Sequence, residues 1–87
     1  MLDKLRNQIN KIDRSIIDLI AKRMSISKKI GKLKTGKKSA VLDDKREKEV
    51  IKNWQSQSFV KKIDPVFIKK LIDLIMKESK NIQRGRF

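Results

Sequence analysis

Arg23 and Lys34 are two cations that helical spacing places on one face of a helix. Eleven positions correspond to about three turns plus ~20°, with a rise of ~16 Å between the two residues. Side chains of this length could lean toward each other and hold a small anion. Simpler explanations remain open: Arg23 could set the register of a helix pair or extend to solvent, and Lys34 could be an ordinary solvated lysine.

Uncharged hydrogen-bonding residues and a small charged cluster occupy two further places. Ser79 and Gln83 are one helical turn apart and continue an apolar stripe, which indicates either a pocket wall or a solvated helix end. Asp43, Arg46 and Glu47 lie at the start of another predicted helix. Helix capping and the helix dipole could explain both acids without a binding role.

Arg6 is a further cation, but it is far from the others along the chain. It precedes Arg23 by about 25 Å and ~100° on a straight helix. One straight helix therefore cannot bring both residues to a single site. Arg6 could instead reach the site of an antiparallel partner helix.

Apolar spacing predicts that a long first helix, about residues 2–34, positions these groups. Its apolar residues alternate at intervals of three and four, with Arg23 in one apolar slot: Leu2, Leu5, Ile9, Ile12, Ile16, Leu19, Ile26, Ile30 and Leu33. We call this set the seam. At ~1.5 Å per residue the helix is ~50 Å long, more than a chain of 87 residues can cover. A second copy is the simplest partner.

Two shorter helices follow in what we interpret as a single domain, residues 1–87. The second is predicted at about 43–56, ending in the polar run from Gln55 to Ser58, and the third at about 64–84. Asp64 suits the N-cap of the third helix and Pro65 suits its first position. We therefore predict an all-α fold with a long, a short and a medium helix per chain, in an intertwined homodimer.

The chain contains no cysteine and no histidine, which excludes several kinds of chemistry. Disulfides, thiolate metal sites, cysteine nucleophiles and a Ser-His-Asp triad are impossible. No apolar run approaches ~18 residues, and the first residues lack a signal-peptide core. We expect no metal, no membrane span and a cytoplasmic location.

The formal net charge of +14 makes nucleic-acid binding the simplest alternative. The 24 basic residues are mostly lysines, however, and they mix with acids along the whole chain. Trp54, Phe59, Phe67 and Phe87 are too few and too dispersed for a base-stacking platform. We expect no nucleic-acid partner, with a basic helical nucleic-acid-binding protein as the alternative.

Together, these polar positions resemble the all-helical chorismate mutases over nearly the whole chain. The matching motifs, in order, are Leu5-Arg6-Asn7-Gln8-Ile9 with Ile12-Asp13, Leu19-Ile20-Ala21-Lys22-Arg23, Gly31-Lys32-Leu33-Lys34, Val41-Leu42-Asp43-Asp44-Lys45-Arg46-Glu47, and Ser79 with Gln83. Two positions depart from the pattern: Leu42 replaces a basic residue of some members, and Lys80 replaces a common apolar one. The related isochorismate pyruvate lyases share the fold but match less well around the second helix.

The resemblance implies rearrangement of chorismate to prephenate in aromatic amino-acid biosynthesis, with no cofactor. Arg23, together with Arg6 of the other subunit, would bind the two carboxylates. Lys34 and Gln83 would donate to the ether oxygen.

The same resemblance implies roles for the remaining polar positions. Glu47 would accept from the ring hydroxyl, helped by the backbone near Asp43, and Arg46 would orient Glu47. Ser79 would hydrogen-bond near a carboxylate. The apolar walls would be Ile30, Val50 and Met76.

Overall fold

The computed structural model describes residues 1–33 and 44–85, and within them the chain forms three α-helices and no strand. Helix α1 spans Leu2–Leu33, α2 spans Asp44–Val60 and α3 spans Pro65–Gln83. The all-α class and the order long, short, medium are confirmed. Lys34 and Asp43, expected at the end of α1 and the start of α2, lie outside the described residues.

Helix α3 begins where local chemistry predicts. The Asp64 carboxylate accepts a hydrogen bond from the backbone N–H of Val66 at 2.9 Å, and Pro65 occupies the first turn. The cap satisfies a donor that has no partner inside the helix, and proline loses nothing there because its missing N–H would be unpaired anyway.

Helix α2 runs on to Val60, so the end predicted at about residue 56 is wrong. Lys62 has a positive φ of 57° and follows the helix. The N–H of Ile63 donates to the Ser58 carbonyl at 3.0 Å, and that of Lys62 donates to the Phe59 carbonyl at 3.1 Å. This pair of bonds is a Schellman cap, which usually has glycine at the left-handed position. Lysine there gives no sequence signal for the end of the helix.

Helix α3 is central in the packing, because it contacts both α1 and α2. The buried apolar residues among those described are Val50, Ile68 and Ile72. Residues 1–22 of the chain, which include the first 21 residues of α1, are all exposed. The molecule measures 55 × 25 × 15 Å, and its radius of gyration of 15.7 Å exceeds the ~12 Å of a compact domain of this length.

The N-terminal part of α1 therefore projects from the small core. Its seam residues are mostly more than half exposed, among them Leu5 at 53%, Ile9 at 57% and Ile12 at 58%. None of the described helices is long and apolar enough to cross a membrane. The cytoplasmic location stays a prediction.

Candidate active site

A pocket of about 260 Å³ opens between the three helices, beside the C-terminal half of α1. This volume is just below the ~300 Å³ at which pockets for drug-sized ligands begin, so it suits a small ligand. Its polar lining comes from all three helices: Arg23 and Ser27 from α1, Arg46 and Glu47 from α2, and Ser79, Lys80 and Gln83 from α3. Apolar walls are formed by Ile26, Ile30, Val50 and Met76.

The pocket collects five of the eight polar residues selected from the sequence: Arg23, Arg46, Glu47, Ser79 and Gln83. All three residues expected as apolar walls also line it. Arg6 is exposed on the projecting part of α1 and does not line the pocket. Lys34 and Asp43 lie outside the described residues.

Ser79 is the centre of a buried hydrogen-bond network between α1 and α3. Its hydroxyl oxygen accepts from Arg23 Nη1 at 2.6 Å and from Ser27 Oγ at 3.2 Å. Its own proton points to the Met24 sulfur at 3.8 Å. A hydroxyl has one donor and two acceptor sites, so this arrangement uses all three. The network fixes the guanidinium of Arg23 at the pocket wall.

Burial disfavours the charge of Arg23, and so does the nearby guanidinium of Arg46. Loss of solvation is the larger cause, and both lower the pKa of Arg23 below its ordinary value. An arginine remains cationic at neutral pH even so. An anion in the pocket would oppose both effects, because a nearby negative charge favours the charged form of each guanidinium.

Among the residues that the structure describes, Glu47 is the acidic residue that lines the pocket, and it turns toward α3. Its Oε1 atom forms an ion pair with Lys80 Nζ. Arg46 Nη1 lies 3.4 Å from Glu49 Oε2 in an exposed pair, so the expected role of Arg46 in orienting Glu47 stays a prediction. Lys80 also lines the pocket, although from the sequence it was only a departure from the family pattern. Its cationic side chain at a usually apolar position was the signal.

Gln83 reaches the pocket because α1 and α3 approach very closely at Gly31. A Cβ atom on Gly31 would lie 2.7 Å from the Gln83 Cα and 2.8 Å from the Gln83 carbonyl oxygen. Such contacts with backbone cannot be relieved by a side-chain rotation, so only glycine permits this approach. Gly31 therefore determines where the amide of Gln83 lies. This role of Gly31 was not predicted from the sequence.

Within residues 1–33 and 44–85, no group of three or more acidic residues is placed to hold a metal ion. What the site offers is two guanidinium groups, an ammonium–carboxylate pair, a hydroxyl network and an amide above apolar walls. The fold and pocket define a class: an all-helical fold with a small pocket that is lined by cations, hydrogen-bonding groups and apolar walls.

Comparison with known proteins identifies the family within this class. The sequence model of the family described as chorismate mutase type II matches residues 5–84. The chain belongs to that family.

A curated relative, the T-protein of Enterobacter agglomerans, is 26% identical over 78 residues. The match covers 90% of this chain but only 21% of that protein, so the chain spans about a fifth of the relative's length. No solved structure gives a significant match.

Proposed function

We propose that the chain is a chorismate mutase that converts chorismate to prephenate. The observation that carries the proposal is the convergence of Arg23, Glu47, Ser79 and Gln83, from three different helices, on one small pocket. Membership of the chorismate mutase type II family supports the same reaction.

The proposed reaction is an intramolecular rearrangement in which the ether C–O bond breaks while a new C–C bond forms. It transfers no proton and forms no covalent intermediate, which suits a chain without histidine or cysteine. The protein must hold the flexible substrate in its compact form, which is an orientation effect. It must also stabilise the negative charge that develops on the ether oxygen.

Each pocket residue has a task in this mechanism. Arg23 binds a carboxylate through its planar fork, and its bond to Ser79 holds that fork in place before substrate arrives. Gln83 donates to the ether oxygen, and Glu47 accepts from the ring hydroxyl. The apolar walls strengthen these charged contacts because they lower the local dielectric.

Three further residues complete the proposed site. Lys34 is the second donor to the ether oxygen, and the backbone near Asp43 helps to bind the hydroxyl. Arg6 comes from a second copy of the chain and binds the other carboxylate. The ~25 Å separation of Arg6 and Arg23 along α1 supports this assignment, since one chain cannot bring both to one substrate.

The exposed seam supports a homodimer. An apolar stripe along the projecting part of α1 would lose contact with water if a second α1 packed against it. Intertwined long helices would also bring each Arg6 to the partner's pocket.

The experiment that tests the function is an absorbance assay of the purified protein with chorismate in the presence of EDTA. We expect chorismate loss and prephenate formation. Arg23→Ala should lower kcat/KM by about 100-fold or more, since a charge-assisted contact to substrate is lost. Arg14→Ala, at an exposed arginine of the same helix, is the matched control and should act like wild type.

Folded wild-type protein that does not exceed the uncatalysed rate would overturn the proposal. Pyruvate release from isochorismate as the dominant activity would assign the chain to the lyases instead.

A further inference from the structure

Lys80 faces the pocket, yet the mechanism above gives it no task. It follows Ser79 on α3, and its side chain is 29% exposed. Its ammonium group contacts Oε1 of Glu47 across the boundary between α2 and α3, and the Glu47 side chain as a whole is 27% exposed. The contact therefore links an additional cation to the group assigned to the substrate hydroxyl.

The environment of Glu47 Oε1 indicates that this ion pair persists when a ligand binds. The atom is buried from solvent and has no hydrogen-bond partner among the described residues, so the ion pair with Lys80 is the contact that compensates its charge. A buried carboxylate oxygen without a partner costs free energy. Moving Lys80 onto a ligand would leave that cost uncompensated.

The charges of the pocket lead to the same conclusion. Lys80 and Glu47 cancel each other, while the guanidinium of Arg23, fixed at the pocket wall by Ser79, is available to an anionic ligand. An arginine fork also matches a carboxylate better than a lysine ammonium does. The ligand's carboxylates therefore have better partners than Lys80.

We propose that Lys80 is a positioning residue that acts through Glu47. It holds Oε1, and the second carboxylate oxygen accepts the hydrogen bond from the ring hydroxyl. A carboxylate can accept at both oxygens, and an ammonium group donates without competing as an acceptor. This inference rests on the proposed function, because the hydroxyl is that of chorismate.

A double-mutant cycle in the chorismate assay tests the proposal. Lys80→Met should lower kcat/KM by about tenfold in the wild-type background, because Glu47 loses its orientation. The same substitution in a Glu47→Gln background should change kcat/KM by less than about twofold, since the group it positions is already altered. Lys80→Arg, which keeps the cation, should restore most of the activity.

Lys77→Met is the matched control, since Lys77 is an exposed lysine of the same helix outside the pocket lining. It should leave both kinetic constants unchanged. Circular dichroism checks that each variant is folded. If Lys80→Met does not fold, Lys80→Ala, which also removes the donor, takes its place in the cycle.

The kinetics of Lys80→Met in the two backgrounds decide whether Lys80 acts through Glu47. An equal loss in both backgrounds would mean that Lys80 contacts the substrate directly, and wild-type kinetics for Lys80→Met would mean that it has no role. Either result overturns this inference and leaves the proposed function intact. Folded wild-type protein without mutase activity would overturn both.

Discussion

Arg23 is held in a position where its charge is unfavourable to the protein itself. Burial and the neighbouring Arg46 both lower the pKa of Arg23, while Ser79 fixes its guanidinium with a 2.6 Å hydrogen bond. A group arranged in this way gains most when an anion enters the pocket. Unfavourable placement without a ligand is typical of binding sites, where function and stability make opposing demands.

The proposed role of Gln83 leads to a prediction about how catalytic activity depends on pH. A neutral amide donates at any pH, whereas a carboxyl group donates only while it is protonated. Gln83→Glu should therefore be active under acidic conditions and lose activity as pH rises. Gln83→Ala should be poor at every pH. The measurement is kcat/KM against pH for the three proteins, and a Gln83→Glu profile matching wild type would show that Gln83 does not donate to the ether oxygen.

The ends of the helices show how much local sequence can predict. Asp64 and Pro65 mark the start of α3 because a cap involves only neighbouring residues. The end of α2 was missed because its Schellman cap uses Lys62 in the left-handed conformation, where glycine is the usual signal.

The close approach of α1 to α3 leads to a prediction about Gly31→Ala. In an isolated helix this change would stabilise by ~1 kcal/mol, since alanine favours the helix over glycine. Here the added Cβ would lie 2.7 Å from the Gln83 backbone, so we expect a net loss of about 1–3 kcal/mol of unfolding free energy. The activity of the folded fraction should fall as well, because the Gln83 amide is displaced.

Urea unfolding and the chorismate assay measure the two effects of Gly31→Ala. Ala21→Gly, at an exposed position of the same helix, provides the baseline for helix propensity. A Gly31→Ala protein more stable than wild type would show that the two helices do not approach this closely.

For the whole molecule, the projecting α1 and the distant Arg6 predict a site shared between two chains. Arg6→Ala and Arg23→Ala should each be inactive alone. When the two variants are unfolded and refolded together, random pairing makes about half of the dimers mixed. A mixed dimer has one site lacking both arginines and one site lacking neither, so about a quarter of wild-type activity should return.

Activity before and after mixing is the measurement, with native mass spectrometry to show that mixed dimers form. Refolding each variant by itself is the control and should restore nothing. Mixed dimers without activity would mean that Arg6 does not complete the partner's site.

Sequence by itself determined the features that depend on near neighbours and on periodicity. Apolar spacing predicted three helices and a first helix too long for its own chain, and a series of polar residues at family spacing indicated the pocket. These inferences were possible because a cap involves only neighbouring residues and because the direction of side chains on a helix repeats every 3.6 residues.

Only the tertiary structure decided which distant residues meet. The ion pair of Lys80 with Glu47 depends on how α2 packs against α3, and the role of Gly31 depends on the backbone of Gln83 passing within van der Waals distance. No spacing along the chain encodes these contacts, because each depends on the relative placement of two helices. The packing of whole helix faces sets that placement, and no single residue in the sequence predicts it.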